Sequence, residues 1–403
     1  MKKKIIIISH NLRIGGVERA LIGLLNSFDY SRYEVDLFLF IHDGEFLSMI
    51  PKEVNLLPEN KKYASMLMTT PANLKADLIS TLLIKTIAKF KSKRFVKRHK
   101  LGGFENLVYL NYMQREMLKI LPKINDKEYD LGISFLTPHY IAAQKINSKK
   151  RIAWIHTDYS YFGLDKEAEF DMWNAYDRIA SVSGDCSKGF LKLFPKLEPK
   201  LILIHNILNP DTVRVLADEF DPLTEMQTAE DELILCSIGR FTIQKNFDNV
   251  PFIAKLLKEK GAKFKWFLIG YGGDEELINE NIREAGMQET VIMLGKKSNP
   301  YPYMKACDIY VQPSRMEGRA VSVTEAQILS RPVVITDYPT ASAQLHNGFD
   351  GLVVPLDNEG CAAGLYELMN NPEKMRELSD NCSKTDYRNA EEVEKIYAST
   401  LSA

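Results

Sequence analysis

Short aliphatic runs alternate with longer segments of helical periodicity along most of this chain. Ile5–Ile8 is a β-branched run suited to a strand buried on both faces. Gly15-Gly16 follows it and opens a helix-like segment, Val17-Glu18-Arg19-Ala20-Leu21-Ile22-Gly23-Leu24-Leu25. Further strands are predicted at Glu34–Phe40, Leu131–Phe135, Arg151–Ile155, Arg178–Val182 and Leu201–Ile204. A polar, Pro- and acid-rich stretch then runs from Asn209-Pro210 through Asp221-Pro222 to Glu230-Asp231. Beyond it the alternation restarts, with strands at Leu233–Ile238, Lys265–Ile269, Val291–Leu294, Asp308–Gln312, Pro332–Ile335 and Leu352–Val354. Helices fall between them, as at Asn249–Lys260 and Val321–Leu329. Strand–helix–strand alternation predicts parallel sheets covered by helices on both faces. The restart predicts two such α/β domains, 1–208 and 233–385, with 209–232 as linker and 386–403 as a C-terminal helix.

The length agrees: 403 residues, at roughly 100–200 per domain, make two or three domains. Charge gives no global signal, with 52 Lys and Arg against 53 Asp and Glu, so nothing favours nucleic acid. The five cysteines are odd in number and none are spaced as a metal pair, which predicts reduced cytoplasmic thiols. Lys2-Lys3-Lys4 resembles the start of a signal peptide, but the apolar run after it ends at once in Ser9-His10-Asn11. No stretch reaches the ~20 apolar residues that span a bilayer. A cytoplasmic protein is expected, at most peripheral at the inner face of the cell membrane.

One segment breaks the rhythm. An insert at about 61–123 is predicted helical, and Lys85–Lys100 carries eight cations and no acid, interspersed with Leu82, Leu83, Ile87, Phe90, Phe95 and Val96. As a helix this is a basic amphipathic surface of the kind that meets anionic headgroups; the alternative is a solvated face with an ordinary apolar underside.

Candidate chemistry gathers where strands end. Glu317, in Ser314-Arg315-Met316-Glu317-Gly318-Arg319-Ala320, follows the strand Asp308–Gln312 and precedes a helix. Ligands of open α/β sheets bind at that carboxyl edge, Gly318 allows close approach, and a helix start offers N–H groups to an anion. Glu325, eight residues on, lies inside that helix, and two such carboxylates can accept hydrogen bonds from several hydroxyls. Ser322-x-x-Glu325 equally fits a capping box. Arg240 and Lys245 share the loop after Leu233–Ile238, where two cations suit a pyrophosphate and isolated surface cations are the alternative. Gly270-Tyr271-Gly272-Gly273 resembles a dinucleotide turn, but the next strand ends in Gly295-Lys296-Lys297 without the acid that holds a ribose. Gly15-Gly16 supplies a tight turn, ligand-facing or ordinary. His156 ends the strand Arg151–Ile155, placed either to touch a ligand hydroxyl or as a structural histidine, and His139 is a weaker second. Metal-ligand spacing, a P-loop and a nucleophile elbow are all lacking in the sequence.

Taken in order, Gly15-Gly16, Arg240-x4-Lys245 and Glu317-x7-Glu325 resemble the retaining glycosyltransferases of family 4. The likeness covers nearly the whole chain and is strongest from Ser237 to Val354. It implies an α/β GT-B fold, two Rossmann-like doubly wound domains facing each other across a cleft, with the C-terminal helix crossing back to the first domain. It implies a hexosyltransferase-type enzyme that needs no metal or other cofactor. A sugar would move from a nucleoside-diphosphate donor, commonly a UDP-sugar, to a glycan or lipid-linked acceptor of a capsule or other surface polysaccharide. Residue roles follow by position. Arg240 and Lys245 would bind the diphosphate, Glu325 the ribose, and Glu317 the transferred sugar. The N–H groups of Gly318, Arg319 and Ala320 would assist. Gly15, Gly16, Gly270 and Gly272 would lie along the substrate, with His156 near the reacting carbon. Arg319 stands where the family usually has an apolar or aromatic residue, and its cation would touch an acidic sugar or support the diphosphate. The basic insert belongs to the acceptor side. The competing readings are a sugar-nucleotide epimerase or phosphorylase on the same fold, and a non-catalytic sugar-nucleotide-binding protein.

Overall fold

A computed structural model describes residues 2–75, 79–101 and 107–401. The chain forms two units, residues 1–207 with 390–403, and residues 208–389. The first holds a seven-stranded sheet of β1 (Lys3–Ser9), β2 (Tyr33–Leu39), β3 (Asn55–Leu56), β4 (Glu128–Ser134), β5 (Asn147–Ile155), β6 (Arg178–Ser181) and β7 (Leu201–Leu203). Its order is β3-β2-β1-β4-β5-β6-β7, and every pairing is parallel. The second holds β8 (Leu233–Arg240), β9 (Phe264–Tyr271), β10 (Val291–Gly295), β11 (Ile309–Gln312), β12 (Val333–Thr336) and β13 (Leu352–Val354). Its order is β10-β9-β8-β11-β12-β13, again parallel throughout. In each sheet the order reverses beside the first strand of its unit, which is the doubly wound pattern.

The sequence pattern explains the layering. Along β8, Ile234, Cys236 and Ile238 enter one core and Leu235 the core of the opposite face. Both faces are covered, so the strand reads as a continuous apolar run. A buried polar tie joins three strands: Trp266 Nε1 donates to Ser237 Oγ at 2.8 Å, and Ser237 Oγ donates to the Val311 carbonyl at 2.6 Å. Each donor buried there is thereby satisfied. Two-residue β3 carries too little pattern to be seen in the sequence.

The expected linker is not one. Asn209 caps the helix Pro210–Ala217, accepting from the N–H groups of Asp211 at 3.0 Å and Thr212 at 3.3 Å. Val213 and Ala217 from this helix are buried in the core of the second unit. Asp221-Pro222 starts a short 3-10 turn in the same way. Asn-Pro and Asp-Pro are helix starts here, since proline at the first position gives up an N–H that has no partner anyway. The insert is helical as expected, with Lys61–Ala64, Thr70–Lys75, Ile79–His99 and Val108–Met117; positions 76–78 and 102–106 lie outside the described residues.

The C-terminal segment joins the first unit from residue 390, through the short helix Glu392–Ile396. Tyr397 stacks on Tyr33 with centroids 4.2 Å apart. Glu392, nearly buried, accepts from the His205 N–H at 2.9 Å and from Lys395 at 2.7 Å. Burial pushes its carboxyl up, but the His205 side chain, Lys395 and the His205 N–H together outweigh burial and hold it at about 2. A carboxyl lowered by folding stabilises fully above its unfolded value, near 4.5, and the contribution disappears as pH falls through about 2. Glu392→Gln should therefore cost about 1–2 kcal/mol at pH 7, after discounting for solvent screening. The gap to the unaltered protein should close as denaturation is followed down to pH 2; a gap independent of pH would contradict the assignment.

Candidate functional site

In the second unit, two loops at the carboxyl edge of the sheet are fastened together. The loop after β8 turns through Ile243–Lys245 and reverses at Asn246, whose φ of 61° is left-handed. Asparagine tolerates that conformation, and here its side chain donates to the Pro313 carbonyl at 2.8 Å. From the loop after β11, Arg315 forks onto Asp248 at 2.8 and 2.7 Å and donates to the Ile243 carbonyl at 2.6 Å. The Arg315 N–H donates to the Gln244 carbonyl at 2.8 Å. This planar two-point pairing fixes both loops.

The fastening brings Lys245 Nζ to 2.5 Å from Glu317 Oε1. Ser314 Oγ donates to the same oxygen at 2.6 Å and Gln312 Nε2 at 3.2 Å. Thr340 Oγ1 holds the Glu317 carbonyl at 2.9 Å. All three side-chain contacts converge on Oε1, and a tenth of the Glu317 side chain stays exposed. Glu317 Oε2 takes no hydrogen bond among the described residues, so the carboxylate is anchored by one oxygen and open at the other. Arg240, at the end of β8, is exposed and has no acidic partner among the described residues. The sequence grouped Arg240 with Lys245; the structure separates them into a free cation and one already balanced by a carboxylate.

Glu325 differs from the expectation of an accessible ribose acceptor. It is completely buried, and Tyr301 donates to its Oε1 at 2.7 Å. A ligand hydroxyl has to open this packing to reach it. The capping-box alternative also fails. The helix Val321–Ile328 has Ala320 at its N-cap, and Ser322 Oγ inside it donates to Gln312 Oε1 at 3.1 Å. Ala320 does not offer its N–H to a ligand, because Gln344 Oε1 takes it at 2.7 Å. Gly318 is buried beside Glu317, and Arg319 is half-buried.

Gly270 and Gly272 are required by the backbone. A Cβ at Gly270 would lie 1.8 Å from the Gly239 carbonyl oxygen, and one at Gly272 would lie 2.2 Å from that of Phe241. Their bareness lets the end of β9 run beside the end of β8, where Phe241 N–H donates to the Tyr271 carbonyl at 2.8 Å.

In the first unit, Gly15 is the extended N-cap of the helix Gly16–Leu25 and accepts from the Arg19 N–H at 3.0 Å. His156 Nε2 lies 2.8 Å from the Phe135 carbonyl, its ring parallel to Trp154, and its Nδ1 is buried without a partner. Burial lowers it to about 4, so it is a neutral imidazole. His139 is fully buried, 2.8 Å from Ser134 Oγ and 4.4 Å from the Trp173 ring, and is lowered well below its usual range by burial and then by His156 and His10. His10, which the sequence reading passed over, is lowered to about 4 by burial. Its signal was its place directly after β1. Gln312, Ser314, Tyr301 and Gln344 were also missed. Gln312 had a readable signal, as the polar end of the buried strand Ile309–Gln312. Among the described residues, no group of three His, Cys, Asp or Glu is placed to hold a metal ion.

Two parallel doubly wound units, each a Rossmann-like domain, have the GT-B architecture. Residues 224–385 match the family described as Glycosyl transferases group 1. Two solved structures align over nearly the full length: Anabaena HepE in complex with UDP (15% identical, TM-score 0.65, 99% of each chain) and S. aureus TarM, also with UDP (14% identical, TM-score 0.69, 99% of this chain and 100% of that one). These show the fold. Among curated relatives, the Campylobacter jejuni N-acetylgalactosamine-N,N'-diacetylbacillosaminyl-diphospho-undecaprenol 4-alpha-N-acetylgalactosaminyltransferase is 29% identical over 157 residues, 39% of this chain and 42% of its own. The putative glycosyltransferase EpsF of Bacillus subtilis is 34% identical over 109 residues, 27% of this chain and 28% of its own. The chain thus spans between about a quarter and two fifths of the length of these relatives.

Two outcomes are expected. Gly270→Ala should destabilise the protein by on the order of 2 kcal/mol in a urea titration, and Gly273→Ala, with nothing within 4 Å, by far less. Equal effects would show that the contact with Gly239 does not matter. Stability should also fall as pH drops below 6.5, because the unfolded chain binds protons that folded His139, His10 and His156 refuse. His139→Phe should flatten part of that slope in melting curves, the remainder belonging to His10 and His156; an unchanged slope would remove His139 as a contributor.

Proposed function

We propose that the protein is a retaining glycosyltransferase that moves a sugar from a nucleoside-diphosphate donor, a UDP-sugar, to a glycan or lipid-linked acceptor of a surface polysaccharide. The observation that carries this is the Lys245–Glu317 pair, anchored at one carboxylate oxygen and open at the other, beside an unpaired Arg240. A diphosphate recruits Arg240 outright and draws Lys245 partly from Glu317, whose second oxygen then accepts from a sugar hydroxyl. Departure of the nucleoside diphosphate leaves an oxocarbenium-like sugar, and the two cations neutralise the leaving charge without a metal. Retention follows from front-face attack, with the leaving phosphate taking the acceptor proton. The group 1 match at 224–385 and the UDP held by HepE and TarM support the donor class. The undecaprenol-linked substrate in the name of the C. jejuni relative supports a lipid-linked acceptor. We place the enzyme in the cytoplasm, at the inner membrane face where such an acceptor is reached. No helix among the described residues is long and apolar enough to cross a membrane.

The test begins with UDP-sugars in a melting-temperature screen, since a ligand of the native state raises the midpoint. The matching donor should then be hydrolysed slowly to UDP. Lys245→Ala and Glu317→Gln should each lower turnover by about 10²-fold or more while leaving the fold intact. Arg240→Ala, in an exposed position, should weaken donor binding with no loss of stability. Near-normal turnover in the Lys245 or Glu317 variant would defeat the assignment, and interconversion of sugar nucleotides without release of UDP would point to an epimerase.

A further inference from the structure

The helix Ile79–His99 is built inside out. The side it buries carries Thr81, Ala88 and Ser92, with Thr81 Oγ1 2.9 Å from Ser65 Oγ and Lys85 donating to the Met68 carbonyl at 2.7 Å. Four of its large apolar residues face out, while Ile84 packs on the core: Ile79 is 57% exposed, Leu83 61%, Ile87 46% and Phe90 68%. At about 100° per residue these four fall within a sector about 80° wide, so they form one stripe. A surface helix ordinarily turns such a stripe to the core. The sequence expectation of an ordinary apolar underside is therefore reversed.

Charge continues the same outer side. Lys93, Arg94 and Lys97 follow the stripe on its face, and Lys89, Lys91 and Arg98 flank it; all are exposed. Lys91 pairs with Glu116, while Lys89, Lys93, Arg94, Lys97 and Arg98 have no acidic partner among the described residues. Residues 79–100 contain no acid at all.

We propose that this face docks on the headgroup–acyl boundary of an anionic bilayer, with Leu83, Ile87 and Phe90 inserted and the lysines and arginines on the headgroups. Exposed hydrocarbon and dense positive charge on one face are matched together by that boundary. A second copy of the chain would set the same cations against each other across a two-fold axis. A polyanion such as nucleic acid would leave the aliphatic stripe in water. The inference deepens the proposed function, since it delivers the enzyme to a lipid-linked acceptor. Its readout is vesicle binding and does not depend on turnover, so either can fail alone.

The experiment uses the full chain with Phe90→Cys carrying an environment-sensitive fluorophore; all five native cysteines are buried. Vesicles containing phosphatidylglycerol should shift its emission to the blue and co-sediment with the protein, and neutral phosphatidylcholine vesicles should do neither. In co-sedimentation of otherwise unaltered protein, Lys89→Gln with Lys93→Gln should weaken binding roughly 30-fold. Leu83→Ser with Ile87→Ser should weaken it at least tenfold. Donor hydrolysis without vesicles should be unchanged in both. Absence of vesicle binding, equal binding to neutral vesicles, or binding untouched by either pair would overturn the proposal. So would a solution dimer that Leu83→Ser with Ile87→Ser dissociates, which would give the stripe to a second copy.

Discussion

The fork of Arg315 on Asp248 is the contact on which the site in the second unit depends. Strand ends in a parallel sheet leave their loops without ladder partners, and two adjacent loops of this kind have no intrinsic reason to hold a common geometry. The bidentate pair, with Asn246 turned left-handed against Pro313, removes that freedom. Lys245 and Glu317 then meet because their loops do. Their attraction alone would not pay the entropy of ordering both loops.

The same logic governs how Glu317 is presented. A carboxylate beside a lysine gains a neighbour but not an orientation. Ser314 and Gln312 supply it, by crowding one oxygen and leaving the other. Gln312 is held in turn by Tyr310 and Ser322, so the polar end of β11 and the first turn of the following helix belong to one network. Glu325 is buried and takes the Tyr301 hydroxyl. The two glutamates that look equivalent in the sequence therefore differ: one is poised at the surface and one is locked in the core.

The first unit presents neutral groups at the corresponding sheet edge. His10, His139 and His156 are all kept uncharged by burial. On the helix Ile79–His99, Lys89, Lys93, Arg94, Lys97 and Arg98 have no acidic partner among the described residues. There the side the helix buries is made mainly of small or polar side chains, Thr81, Ala88 and Ser92, with Ile84 beside them, and most of its larger apolar side chains are left outward.

The sequence by itself determined the two α/β units, nearly every strand, and the candidate residues at strand ends. Strands buried on both faces write long aliphatic runs, and parallel topology forces the alternation with helices. The spacing of Arg240, Lys245, Glu317 and Glu325 was equally visible. It could not show that Asn209-Pro210 begins a helix and not a linker, since the same residues serve both ends and only the core receiving Val213 and Ala217 distinguishes them. Tertiary structure alone decided that Gly270 yields to the Gly239 carbonyl, that Gln344 takes the Ala320 N–H, and that Leu83 and Phe90 face outward. Each of these depends on an atom far away in the chain, and periodicity records only which side of a helix is apolar, not which side meets the protein.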